Sequence, residues 1–111
     1  MRQNRRSLFK KGIKHDTKKL QWCLLPFEVL RDVVQVLMHG ARKYAPDNWK
    51  YVKPKERYFD ACMRHLDAWQ AGERKDPETG LNPLAHAICC LIFLLWHDKN
   101  TKGRKLTKML S

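Results

Sequence analysis

The run PLAHAICCLIFLLWH, residues 83–97, limits what this chain can fold into more than any other stretch. Set out at 100° steps it leaves no polar face, and a helix that is apolar all round has to be touched from several sides. It is not a membrane span, because its longest unbroken apolar stretch, Ile88–Trp96, falls well short of the roughly 20 residues a bilayer requires. Asn82 is placed to cap it, with Pro83 at the first position, where a missing N–H costs nothing. His86, Cys90, Phe93 and His97 share one stripe. His86 is therefore a polar group in a mostly buried element and needs a partner.

Two further helices are available to cover this one. Pro26 opens the first, which runs to about residue 39, with Phe27, Leu30, Val33, Val34 and Leu37 at helical spacing and Gly40 as its C-terminal cap. Glu28, Asp32, Gln35 and His39 lie opposite, where Glu28 and Asp32 either share a cation or simply face water. The second helix spans about 55–71, with Tyr58, Phe59, Cys62, Leu66 and Trp69 on one face and His65 at its seam. Ahead of both, residues 13–25 read as an extended lead-in whose Trp22 and leucines reach the core. No strand pattern competes. The expected fold is all-α, a small bundle of three helices at about 26–39, 55–71 and 83–97 in one domain of residues 13–97. Two helices leave part of an all-apolar third uncovered, so a homo-oligomer is expected.

The connections carry the chemistry. Residues 41–54, ARKYAPDNWKYVKP, interleave Tyr44, Trp49 and Tyr51 with Arg42, Lys43, Lys50 and Lys53. Rings beside cations suit a nucleobase and its phosphates, and equally suit a lid over the end of the core. The loop before residue 83 holds Glu73, Asp76 and Glu78, with a turn at Glu78-Thr79-Gly80. Together with His65 and His86, these acids either hold a divalent cation and activate a water or form a solvated loop.

The net charge of +12 sits at the ends. Residues 1–20 hold eight Lys/Arg against Asp16, and residues 97–111 hold five against Asp98, while the centre is near neutral. Residues 1–12 and 98–111 read as basic tails, favouring phosphate-rich partners and non-specific nucleic-acid binding. The four cysteines, two of them adjacent in an apolar helix, read as free thiols of a reducing cytoplasm. A zinc site on His86 and Cys90 lacks an evident source for two more ligands. Met1–Lys11 has charge but no apolar run behind it, so no signal peptide is expected.

The succession KHDTKKLQWCLLP, GARKYAPDNW, RYFDACMRHLDAWQAGE and DPETGLNPLAHAICCLIFLL resembles a family of small, largely phage-encoded proteins. They are related to the MazZ-type dATP/dGTP diphosphohydrolases, themselves likened to the all-α MazG-like nucleotide pyrophosphohydrolases. The resemblance covers residues 13–96. It implies hydrolysis of a purine deoxynucleoside triphosphate to monophosphate and pyrophosphate with Mg²⁺ or Mn²⁺, in the cytoplasm of an infected host. On that footing Glu73, Asp76 and Glu78 are the expected metal ligands, with Glu28 and Asp32 as alternatives. His65, Asp60 and His86 are the expected catalytic groups. Lys43, Arg57 and Arg64 would hold phosphates, and Tyr44, Asn48 and Trp49 the nucleoside. Pro83 stands where the resemblance would put a histidine, and the helical Glu-x-x-Glu pairs of MazG proper are absent. The rival expectation is a non-catalytic basic phage protein that binds nucleic acid or a host factor.

Overall fold

The computed structural model describes residues 12–15 and 17–101. Three helices carry the fold: α1 (Phe27–Lys43), α2 (Glu56–Gln70) and α3 (Pro83–Lys99). Short 3-10 turns at Trp22–Leu24 and Asn48–Tyr51 complete it, and no strand occurs among the described residues. The all-α expectation holds. The basic ends, residues 1–11 and 102–111, lie outside the described residues. No helix among those described is long and apolar enough to cross a membrane.

The all-apolar run is the centre of the structure. Helix α3 packs along α2 for most of its length and more briefly against α1. The Asn82 side chain accepts the Leu84 N–H at 2.8 Å, and Pro83 follows it, fully buried. Such a cap contributes about 1 kcal/mol. Small side chains let α2 and α3 approach: Cys62, Ala87 and Cys90 form the buried cluster, with Ala61 and the Tyr58 ring against it. The Cys62 thiol points at the Ala87 carbonyl at 3.7 Å, and the Cys89 thiol donates to the Val33 carbonyl of α1 at 3.4 Å. Burial pushes Cys89 up to about 12 and Cys90 up to about 11, so both remain thiols. Among the described cysteines Cys62, Cys89 and Cys90 are buried and free, and Cys23 is free and exposed.

Three details depart from expectation. Helix α1 does not stop at Gly40. It continues to Lys43, and the Tyr44 N–H bonds the Gly40 carbonyl at 2.9 Å. Arg42 and Lys43 in its last turn suit the negative end of the helix dipole, which favours one more turn over an early glycine stop. Second, the lead-in does not reach the core. Leu20, Trp22 and Leu24 are 77, 65 and 75% exposed, because the turn closes only on itself through Leu24 N–H to Gln21 and Leu25 N–H to Trp22. Third, the buried stripe of α2 is rotated by about one position. Helix α3 lies over Tyr58, Ala61, Cys62, His65 and Ala68, leaving Phe59 54% and Leu66 38% exposed. Contact through the small Ala61 and Cys62 lets α3 come closer than contact over Phe59 would.

Candidate functional site

Because α1 rests on α3 rather than on α2, a cleft of about 830 Å³ opens between its C-terminal half and the α2–α3 pair. The connection from Tyr44 to Lys55 forms one wall, and the loop from Ala71 to Asn82 closes the opposite end.

The loop is shaped by one carboxylate. Oδ2 of Asp76 accepts the backbone N–H groups of Glu78 (2.9 Å) and Thr79 (3.1 Å), tightening the turn that ends at Gly80, whose φ of 77° suits glycine. The turn aims the Thr79 hydroxyl at His86, with Oγ1 to Nε2 at 2.7 Å, and leaves Asp76 Oδ2 3.8 Å from the same nitrogen. The His65 ring stacks on His86 at 4.7 Å between centroids. Burial lowers the pKa of both imidazoles, reinforced at His65 by the adjacent His86 and opposed at His86 by Asp76. Both rings are therefore neutral near pH 7 and able to accept a proton.

At the α1 edge, Glu78 Oε2 takes two donors, His39 Nε2 at 2.9 Å and Lys43 Nζ at 2.8 Å. Hydrogen bonds from Lys43 and then His39 bring the Glu78 carboxyl down to about 2. The carboxylate raises Lys43 in return, chiefly through the same bond. A carboxylate oxygen only accepts, so His39 donates from Nε2.

The far wall is aromatic. The Trp49 ring stacks on Phe93 at 4.4 Å and meets Trp96 edge-on at 5.2 Å. The buried His97 donates from Nε2 to the Trp49 carbonyl at 3.1 Å. These contacts follow an Asp47 held at φ 64°. Trp49 is thus the anchor of its connection, with one ring face already taken. Tyr44, 64% exposed, and the exposed Asn48 remain open to a ligand.

Nine of the expected residues come together here: Lys43, Tyr44, Asn48, Trp49, Arg57, His65, Asp76, Glu78 and His86 all border the cleft. Asp60, Arg64, Glu73, Glu28 and Asp32 do not border it. Two of the loop acids point to different tasks, Asp76 to backbone amides and Glu78 to α1, and the third, Glu73, lies off the cleft. Among the described residues no group of three His, Cys, Asp or Glu side chains is arranged to hold a metal ion, which also leaves the His86–Cys90 zinc idea without support. His39 and Thr79 are site residues that sequence reasoning passed over. His39 stands four residues before Lys43, a spacing that pairs them once α1 is carried through Gly40.

The profile of the family described as dATP/dGTP diphosphohydrolase, N-terminal, matches residues 10–107, a span that contains every residue of the cleft. The chain belongs to that family. A dATP/dGTP diphosphohydrolase of Salmonella phage PMBT28 is 38% identical over 85 residues. The aligned part covers 77% of this chain and 29% of that protein, so the chain spans less than a third of the length of its diphosphohydrolase relative. No solved structure matches. In this chain the matched span folds into a three-helix cleft lined by histidines at one end and aromatic rings at the other.

Proposed function

We propose that this chain forms the nucleotide-binding cleft of a phage enzyme that hydrolyses a purine deoxynucleoside triphosphate to the monophosphate and pyrophosphate. The observation that carries the proposal is the convergence of Lys43, His65, Asp76 and His86, from three helices and a loop, in one cleft that also exposes Tyr44 and Asn48. The name of the phage relative supports the substrate class.

The division of labour follows from chemistry. Lys43 and Arg57 supply positive charge for the phosphates, and Tyr44 and Asn48 supply a ring and an amide for the nucleoside. Water attacks the α-phosphorus, the bond to the α–β bridging oxygen breaks, and pyrophosphate leaves with its electron pair. The water's proton needs an acceptor, and a neutral imidazole provides one. His65 is assigned this role, since the Nε2 of His86 is already met by the Thr79 hydroxyl. Asp76 fixes the turn that aims Thr79, which makes it a positioning residue.

Dependence on Mg²⁺ or Mn²⁺ belongs to the proposal. Such an ion would offset phosphate charge, and Mg²⁺ in nucleotide sites is held largely by the phosphates with one or two carboxylates. The described residues do not form a dedicated metal cage, so the triphosphate itself would supply most of the oxygens around such an ion. An enzyme acting on free nucleotides would work in the host cytoplasm, where that pool lies.

The test is product analysis by ³¹P NMR after incubating the full chain with dATP or dGTP and Mg²⁺. Pyrophosphate with the monophosphate is expected. Orthophosphate would replace the proposed reaction by stepwise phosphatase chemistry. No product from any common nucleotide would favour the binding-protein alternative, with the basic ends as its contact region.

A further inference from the structure

The contact between Glu78 and α1 holds more than a surface ion pair. A single carboxylate oxygen receives both a histidine and a lysine set one helical turn apart, and all three groups border the cleft. An imidazole N–H and a lysine ammonium converging on one anionic oxygen form a receptor for an anion, occupied by a carboxylate of the same chain. We propose that His39 and Lys43 form a phosphoryl-anion site on α1, and that Glu78 is a built-in competitor which a polyphosphate chain displaces. This deepens the nucleotide reading, and rests on it for the identity of the ligand, by naming the residues that take the phosphates remote from the sugar.

Three features favour exchange. The pair is open to water, with the Lys43 and Glu78 side chains 45 and 53% exposed, and exposed ion pairs are weak enough to trade. A phosphate presents more charge and more acceptor oxygens than a carboxylate, so it satisfies His39 and Lys43 at separate atoms rather than one. Finally, releasing Glu78 does not dismantle the loop. Asp76 still holds the amides of Glu78 and Thr79, and Thr79 still meets His86. Glu78 can swing away while the rest of the turn stays in place. An anion with too few charges then fails to displace the acid from His39 and Lys43, whereas a triphosphate displaces it, giving selection by phosphate number.

The experiment titrates the full chain with inorganic tripolyphosphate by calorimetry, with EDTA present and at ionic strength near 0.15 M to suppress diffuse attraction to the basic ends. Glu78→Gln is expected to tighten binding about threefold to tenfold, the range set by one or two exposed ion pairs. Lys43→Ala is expected to loosen it by a similar factor, and adding Glu78→Gln to Lys43→Ala to recover little. In the wild-type chain, the His39 ring resonances should move on tripolyphosphate addition, a readout that needs no variant. Unchanged or weaker binding by Glu78→Gln with an unaltered melting curve would overturn the proposal, as would an unmoved His39. Turnover separates the two claims. If tripolyphosphate behaves as expected but no nucleotide is hydrolysed, the anion site stands and the reaction falls. If dATP or dGTP is hydrolysed while Glu78→Gln changes nothing, the reaction stands and the anion site falls.

Discussion

His65 and His86 share a stacked arrangement in which two charges would repel, and burial works against even one. Their folded-state pKa values lie below the ordinary 6.5, so the unfolded chain binds protons more readily over that interval. Stability therefore falls as pH drops below 6.5. Glu78 adds to the same trend at lower pH. Its folded value of about 2 against 4.5 means its contribution is complete above 4.5 and lost as pH falls from there towards 2. Urea melts at pH 7.5, 6 and 5 should show midpoints falling in that order, and the His65→Gln, His86→Gln double variant should flatten the first step. If His65 is the proton acceptor, kcat/KM should also fall on the acid side below pH 6.5. His65→Gln should lower kcat by about 10²–10⁴-fold and abolish that limb, whereas a purely structural histidine would leave the shape of the profile unchanged.

At the scale of the elements, the strongest sequence signals were those with a local physical cause. The caps at Asn82 and Pro83 and the turn through Thr79 and Gly80 depend on side chains within a few residues of one another, and they stand as expected. The end of α1 was not legible, because Gly40 looks like a stop and the preference for continuing comes from Arg42 and from Lys43 with its partner Glu78, 35 residues away. That error hid His39, since a histidine on a face expected to be wet gains meaning only when Lys43 joins the same helix. Gly40 is helical, and a Cβ built there meets nothing within 4 Å. Gly40→Ala should stabilise the chain by about 0.5–1 kcal/mol, seen as a raised urea midpoint at unchanged slope. The 44–55 connection gives the opposite result. Trp49 packs on Phe93 and Trp96, so Trp49→Ala should cost about 2–4 kcal/mol of stability. A variant that lost only nucleotide affinity would instead return Trp49 to the role of base platform.

For the molecule as a whole, the apolar run that organises the chain is also what the chain leaves unfinished. Helix α2 covers one side of α3 and α1 part of another, and away from the cleft lining Leu91 and Leu95 remain 54 and 62% exposed. Phe59, Met63 and Leu66 on α2, and Val34 and Met38 on α1, are exposed as well. Scattered apolar residues need no explanation, whereas runs of them along three helices suit a face that meets a second copy. That exposure was readable in the sequence, since two helices cannot cover every side of a third that is apolar throughout. Which faces stay open was not readable, because it depends on α3 choosing Ala61 and Cys62 over Phe59. We expect self-association through the Leu91–Leu95 face. Light scattering at micromolar concentration should give at least the dimer mass. Leu91→Glu with Leu95→Glu should shift it towards monomer, because two carboxylates cannot be buried unpaired. Neither leucine lines the cleft, so tripolyphosphate binding by the monomerised variant should be retained if each chain holds a complete anion site. Loss of binding together with the dimer would show that the partner supplies part of it. A monomer mass for the unaltered chain would remove the interface altogether.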